Sequence, residues 1–364
     1  MFYAPQPLRE AAPWGVACTC REPAPLVVAF AAHYVALGAR EVWLYLDRPQ
    51  PDLERLLRQI PEVRMQVCDE TYWRDHIGKV RPESVEYRQL INVYDAYERS
   101  QVDWIAHFDA DEFLHCDLPV GDLLSAQPEQ IDYVLVEPRE RAFVQNVPQA
   151  SIFDGIFRRP VPLDWGEVPY LFGSAMRFMR QGVLGYPHGK SFSRTRNHVV
   201  PGIHSPRPYR DDPRGTLRGL KTPRARLLHF DGLTALHWSA KLVRAARAGS
   251  GRRFNGPKSR DGHRGRQINM MRRVGNNLEG AWNMHEMLKC VAPDDVERLM
   301  ALGLIEEHDI DPARDIARLG LDAAVDLSRA GFDAALARLD PEVAELLSDW
   351  EAIVAEPLEA LTGT

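Results

Sequence analysis

Apolar residues in the first 140 positions follow two alternating periods, one helical and one extended. Residues 25–38 carry apolar side chains three and four positions apart, which predicts a helix that stops at Gly38. Residues 41–46 are mostly apolar and are followed by Asp47, which predicts a buried strand. The same reasoning predicts helices at 51–60 and 82–99 and strands at 63–67, 104–108 and 131–136. Alternating strands and helices predict an α/β fold with a mostly parallel, Rossmann-like sheet flanked by helices, whose ligand crevice lies at the carboxyl ends of the strands.

The pattern changes after about residue 245. Residues 292–361 predict several amphipathic helices, one of them over 322–339. We therefore expect three parts, an α/β domain at 1–245, a basic glycine-rich loop or linker at 246–280 and an acidic helical extension at 281–364. We expect the extension to pack on the α/β domain. The alternative is that it forms a dimer interface, so the oligomeric state stays open.

One predicted strand ends in a cluster of acids. Residues 104–108 are mainly apolar and lead into the string Asp-Ala-Asp-Glu-Phe-Leu at 109–114. If the segment stays extended, Asp109 and Asp111 point to the same face, and two neighbouring carboxylates repel each other unless a cation joins them. Hard cations prefer oxygen ligands and share them with phosphates, so we expect Mg²⁺ or Mn²⁺ carrying a diphosphate. The alternative is that both acids only cap the following turn.

Composition agrees with a globular enzyme. The chain has 364 residues, of which 45% are hydrophobic and 26% charged, and a formal net charge of -6. The first residues lack a signal-peptide pattern and no apolar run is long enough to span a bilayer, so we expect a cytoplasmic protein with no transmembrane segment and reduced cysteines. Residues 207–273 contain eighteen Lys or Arg against four Asp. The acidic overall charge and the absence of a recognised binding module argue against nucleic acid as a partner.

Several further motifs follow in order along the chain. They are Arg-Glu at 21–22, Leu-Gly at 37–38, Asp47 at a strand end, Asp-Ala-Asp-Glu-Phe-Leu at 109–114, Lys190, Gly-Ile-His-Ser-Pro at 202–206 and Leu-His-Phe at 228–230. Over about residues 14–245 this order resembles the family-2-like glycosyltransferases, in particular the subgroup with an Asp-x-Asp-Glu-Phe-Leu motif. The resemblance implies a GT-A fold, a nucleotide-sugar donor, a saccharide or other hydroxyl acceptor, and transfer with inversion.

The resemblance also implies roles for single residues. Glu22 and Asp47 match the acids near the nucleoside, although Cys-Arg at 20–21 replaces the Lys-Asn that usually precedes the first acid. Asp109 and Asp111 match the pair that binds metal and nucleotide, and His229 matches a late histidine that completes the metal shell. Two further matches, on the acceptor side or near the diphosphate, are Lys190 and His204.

Glycosyl transfer also needs a base that deprotonates the acceptor. The string Leu-Asp-Trp-Gly-Glu places Asp164 and Glu167 beside an aromatic residue, a pairing common in sugar sites, and we expect one of them to be the base. Ordinary surface acids are the alternative. Two other functions stay open, a metal-dependent phosphohydrolase acting on a nucleotide or sugar phosphate and a non-catalytic nucleotide-sugar binding protein. Phe113 argues against the haloacid-dehalogenase type of phosphohydrolase, which places Thr or Val two residues after its second Asp.

Overall fold

The computed structural model describes residues 10–166, 171–247, 262–275, 277–346 and 350. Its strands are β1 Trp14–Cys20, β2 Glu41–Leu46, β3 Val63–Val67, β4 Trp104–His107, β5 Glu112–Cys116, β6 Tyr133–Val144, β7 Ile156–Arg158, β8 Lys190–Arg194, β9 Val199–Val200, β10 Arg207–Pro208, β11 Gly219–His229, β12 Cys290–Val291 and β13 Ile305–Glu306. Its α-helices are α1 Ala24–Ala36, α2 Pro51–Leu57, α3 Val85–Arg99, α4 Val120–Ser125, α5 Ala235–Arg247, α6 His263–Arg273, α7 Leu278–Lys289, α8 Pro293–Ala301, α9 Pro312–Arg318 and α10 Arg329–Leu339.

These elements form two compact units. The first unit contains residues 1–138, 188–227 and 311–325, and the second contains 139–187, 228–310 and 326–364. Each unit is thus assembled from segments that are distant along the chain. The predicted boundaries at 245 and 280 divide the chain in another way and stay a prediction.

The first unit is built on parallel strands in the order β3-β2-β1-β4, and β8 and β6 continue the sheet in antiparallel pairing. Every residue of β2 is buried, as expected for a parallel strand that helices cover on both faces. Helix α1 is also buried along most of its length, and Gly38 ends it in a left-handed conformation with φ +90°. The predicted α/β class, with a sheet flanked by helices, is therefore confirmed.

Helix α3 illustrates how the sequence sets an element of the first unit. The Ser84 hydroxyl accepts a hydrogen bond from Tyr87 N, which caps the start of the helix. Its buried face carries Arg88 and Asn92 as well as apolar side chains. Polar groups on an inner face have to find partners inside the unit: Asn92 Nδ2 donates to Thr19 Oγ1 of β1 at 2.9 Å, and Arg88 contacts Asp47 after β2.

The second unit contains the end of β6 from Arg139, with β7 and β13 in antiparallel order and β12 parallel to β6. One apolar cluster joins α5, α6 and α7, and a second cluster packs around β6 and β7. The region predicted as a loop or linker at 246–280 includes helix α6, whereas residues 248–261 and 276 lie outside the described residues. No helix among the described residues combines the length and apolar character that crossing a membrane requires.

The C-terminal prediction is partly corrected. A single helix over 322–339 is wrong, because the chain forms a short 3₁₀ turn at Asp322–Ala324 and α10 begins only at Arg329. The Ser328 hydroxyl accepts a hydrogen bond from Gly331 N and so fixes the start of α10.

Helix α9 packs against α1 within the first unit, where His33 Nδ1 lies 3.5 Å from Asp315 Oδ2.

Candidate functional site

Three predicted site acids follow neighbouring parallel strands of the first unit. Glu22 comes just after β1, Asp47 directly after β2, and Asp109 two residues after β4. Strand β1 lies between β2 and β4, and all three run in the same direction. We call Glu22, Asp47 and Asp109 the strand-end acids. They occupy the carboxyl edge of the sheet, where open α/β sheets bind ligands.

The Asp109–Glu112 segment is a turn and not an extended strand. Glu112 N donates to Asp109 O at 2.9 Å, and the Glu112 carboxylate accepts from Asp109 N at 2.8 Å. These two bonds close a four-residue turn between β4 and β5. The expectation that Asp109 and Asp111 share one face of an extended segment is therefore wrong, although both acids do lie at the end of β4.

A buried lysine connects two acids of this turn. Lys190 Nζ lies 2.5 Å from Asp109 Oδ2 and 2.9 Å from Glu112 Oε2, and the lysine side chain is 2% exposed. The other oxygen of Asp109 accepts from Gln89 Nε2 of α3 at 2.7 Å. The Asp109 carboxylate is thus held by two protein groups, and because Asp109 is 33% exposed it still faces solvent.

The backbone before β8 explains how Lys190 reaches this position. Gly189 has φ +72°, and a Cβ there would lie 1.9 Å from Val136 O, so only glycine fits. The Gly189 carbonyl accepts a hydrogen bond from His204 Nδ1 at 2.9 Å. Lys190, His204 and Asp109 thus lie together in the first unit.

Two histidines beside Lys190 are neutral. Burial and the Lys190 charge lower the pKa of His107 to about 3, and His107 Nδ1 lies 3.5 Å from Lys190 Nζ. Burial also lowers the pKa of His204. Burial alone would favour a neutral Lys190, but Asp109 and Glu112 outweigh it and raise its pKa above the usual value. Lys190 is therefore positively charged near neutral pH.

Asp47 has two arginine partners. Arg81 Nη2 lies 2.8 Å from Asp47 Oδ2, and Arg88 Nε lies 2.9 Å from Asp47 Oδ1. Beside them is a cavity of about 680 Å³, lined by Asp47, Arg48, Pro49, Cys68, Asp69, Glu70, Trp73, Arg74, Gly78, Lys79, Val80 and Arg81. This volume falls in the range typical of small-molecule sites. Most of the lining surface is apolar, and the charged groups at the cavity are of both signs.

Four predicted site residues are left, Asp111, His229, Asp164 and Glu167. Asp111 lies in the same turn as Asp109 and is half-buried. His229 is the last residue of β11 and belongs to the second unit. Asp164 lies on an exposed 3₁₀ turn of the second unit, and Glu167 lies outside the described residues. The roles predicted for these four residues stay predictions.

Sequence reasoning missed the two polar residues of α3 that hold the acids, Arg88 and Gln89. They are adjacent in sequence, and each contacts a different strand-end acid. Arg88 is 5% exposed, so it is a buried charge on a helix face. An arginine at an otherwise inward-facing helical position was the available signal, because such a charge needs an acidic partner.

Comparisons with known proteins give no family. No family model and no curated protein matches the chain. Among solved structures, S. aureus TarS residues 1–349 has a TM-score of 0.32 and 11% identity, over 94% of this chain and 87% of that one. A mycobacterial protein has a TM-score of 0.30 and 12% identity, over 68% of this chain and 81% of that one. Similarity this low carries no argument about fold or activity, which rest on the residues themselves.

Proposed function

We propose that the chain is a metal-dependent glycosyltransferase that moves a sugar from a nucleotide-diphosphate donor to a hydroxyl acceptor, with inversion. The observation that carries the proposal is the carboxyl edge of the first unit, where acids follow three adjacent strands and one of them is held by Lys190. The sequence resemblance to family-2-like glycosyltransferases supports the same reaction.

The cation in this proposal is Mn²⁺ or Mg²⁺, and the residues of the turn suit such an ion. Asp111 offers half-buried carboxylate oxygens, the ligand type that hard cations prefer. Both oxygens of Asp109 already accept hydrogen bonds from protein groups, but a carboxylate has lone pairs left for another contact. When bound, the cation would neutralise the leaving diphosphate.

Lys190 acts as a positioning residue in this scheme. At 2% exposure its ammonium cannot make broad contact with a donor, but it fixes the orientation of Asp109 and balances the charge of Glu112. A carboxylate that is held in place before the ligand arrives costs little reorganisation on binding. Gln89 holds the second Asp109 oxygen and adds to this preorganisation.

The cavity beside Asp47 is the proposed nucleoside site. Its volume suits a base and ribose, and the nearby cations Lys79 and Arg81 can attract a phosphate. Arg88 and Arg81 hold Asp47, so this acid would orient the arginines as well as contact the nucleoside. We keep Glu22 as a second nucleoside contact.

The acceptor base and the late histidine are proposed from the sequence. Asp164 or Glu167 would take the acceptor hydroxyl proton while that oxygen forms its bond to the anomeric carbon and the nucleoside diphosphate leaves. His229 would be a further metal ligand and His204 a group near the diphosphate, both by resemblance.

Binding of nucleotide sugars with and without Mn²⁺ tests the proposal. A matching donor at 100 times its Kd should stabilise the protein by about 2.7 kcal/mol, and only with the cation present. Asp111→Asn should remove this stabilisation and leave the circular dichroism spectrum unchanged. Asp122→Asn, the same change at an exposed acid of the first unit, is the control and should bind normally.

Two results would contradict the proposal. One is a panel in which no nucleotide sugar shows cation-dependent stabilisation of the wild-type protein. The other is a donor whose affinity is the same in Asp111→Asn as in the wild-type protein, or the same in excess chelator. Release of nucleoside diphosphate in the presence of a suitable acceptor then distinguishes a transferase from a binding protein.

A further inference from the structure

A second group of metal-type ligands lies wholly inside the second unit, at the end of α7. His285 Nδ1 lies 3.3 Å from Glu286 Oε1, Cys290 Sγ lies 3.4 Å from the same oxygen, and Cys290 Sγ lies 3.9 Å from His285 Nδ1. The three ligand atoms lie within 4.8 Å of one another. None of these residues belongs to the site described above.

The local backbone brings the three side chains together. His285 and Glu286 lie in the last turns of α7, and Cys290 is the residue at which the helix gives way to β12. Glu286 and Cys290 are four residues apart, the spacing that stacks side chains on one helix face. The backbone of Cys290 is also held from outside the helix, because Cys290 pairs with Phe143 of β6.

The separations suit one tetrahedral ion. Zinc binds sulfur at about 2.3 Å and nitrogen or oxygen at about 2.0–2.1 Å, which places tetrahedral ligand atoms about 3.3–3.6 Å apart. Two of the three observed separations are 3.3 and 3.4 Å, and the third, at 3.9 Å, requires only a wider angle at the metal. A bound ion would therefore need little movement of the side chains.

The histidine ring gives a second, independent indication. His285 is 3% exposed and packs against Phe143, Trp238 and Trp282, and its Nε2 has no hydrogen-bond partner among the described residues. If Nε2 carries the proton, its N–H can point at an aromatic ring. If Nε2 is unprotonated, its buried lone pair accepts no hydrogen bond, which is costly, so the form protonated on Nε2 is favoured. With the proton on Nε2, the Nδ1 lone pair faces the Glu286 oxygen at 3.3 Å, and a cation between these two acceptors would relieve their repulsion.

We propose that His285, Glu286 and Cys290 form a binding site for a divalent transition-metal ion, and that zinc is the ion this ligand set favours. Thiolate and imidazole suit zinc, whereas Mg²⁺ and Mn²⁺ prefer oxygen ligands. The described residues supply three ligands, and Glu286 is 27% exposed, so water can enter and take the fourth position. The ion would tie the last turn of α7 to β12.

Cobalt is the probe for this site, because a cobalt–thiolate bond gives a charge-transfer absorption that oxygen ligands do not give. Full-length protein stripped with a chelator is titrated with Co²⁺ and then with Zn²⁺. We expect one cobalt–thiolate centre per chain, displaced by zinc, and quenching of tryptophan fluorescence because Trp282 stacks on His285. The absorption should be lost in Cys290→Ser and kept in Cys116→Ser, a partly buried cysteine of the first unit.

Two more variants keep the test decisive. Glu286→Gln changes a part-exposed side chain and should weaken cobalt binding by more than about tenfold without loss of fold. Asp111→Asn should leave the cobalt absorption intact, which separates this site from the proposed donor cation. Absence of a cobalt–thiolate band in the wild-type protein, or its persistence in Cys290→Ser, would overturn the proposal.

Discussion

Lys190 of the first unit and two buried cations of the second unit, Arg158 and Lys289, donate to different kinds of acceptor. In the first unit, Lys190 contacts the carboxylates of Asp109 and Glu112. In the second unit, Arg158 Nη1 donates to Leu288 O at 2.6 Å and Lys289 Nζ donates to Arg141 O at 2.9 Å. A cation that donates to a backbone carbonyl satisfies the hydrogen-bonding need of a buried chain segment. A cation that contacts a part-exposed carboxylate instead holds that acid in position for a ligand. For these three side chains, the type of acceptor distinguishes Lys190, a charge of the proposed site, from Arg158 and Lys289, which hold the backbone.

Removing Lys190 should have the largest effect. Lys190→Met leaves Asp109 and Glu112 without the ammonium that balances them, and breaking a buried ion pair at one partner costs about 3 kcal/mol of unfolding free energy. It should also abolish cation-dependent donor binding, because Asp109 loses its orientation. Urea unfolding and donor calorimetry measure the two effects.

The matched control is Arg158→Met in the second unit. It leaves the Leu288 carbonyl without its donor and should cost about 1–3 kcal/mol of stability. Its donor affinity should equal that of the wild-type protein. If both variants lose stability but neither loses donor binding, the comparison between the units fails and Lys190 is a structural charge.

Elements buried on both faces were predictable from sequence, and elements that depend on distant partners were not. Strand β2 and helix α1 agree with their apolar runs to within two residues. By contrast, β11 is exposed at most positions of its first half and rich in basic residues, so its sequence did not indicate a strand. It gains its order from pairing with β5 and β6.

The site was predictable in part for the same reason. Acids at strand ends follow from the order of elements, so Asp47 and Asp109 could be placed at one edge. The turn at 109–112 could not, because it depends on the Glu112 carboxylate accepting a hydrogen bond from Asp109 N. The contacts of Lys190 and Gln89 with Asp109 join residues 81 and 20 positions apart, which no local pattern reveals.

A buried acid of the second unit gives the next largest effect. Asp333 is 7% exposed and accepts a hydrogen bond from the Thr234 hydroxyl at 2.5 Å. Burial raises the pKa of Asp333 to about 6 from an ordinary 3.8. The protonated form is favoured in the folded state, so the contribution of Asp333 to stability is highest below about pH 4 and is lost as pH rises through 6, a loss of about 3 kcal/mol. Asp333→Asn should remove this loss and stabilise the protein at pH 7.

Urea unfolding between pH 4 and 7 measures the difference between the wild-type protein and Asp333→Asn. Asp309→Asn, at an exposed acid of the same unit, corrects for the titration of other carboxylates. A constant difference across this range would show that Asp333 does not titrate there. The protonation state of Asp333 would then stay the same between pH 4 and 7.

The smallest effect is expected at Arg81, which has the same kind of partner as Lys190 but is 43% exposed. Arg88 continues to hold Asp47 when Arg81 is removed, and exposed ion pairs contribute at most about 1 kcal/mol. Arg81→Ala should therefore lower stability by less than about 1 kcal/mol, with a difference that shrinks as salt increases. Urea unfolding at two salt concentrations tests this, with Arg88→Met as the buried counterpart. If Arg81→Ala were as destabilising as Lys190→Met, the burial of the cation would not matter. The type of partner alone would then determine how much stability a cation contributes at this edge.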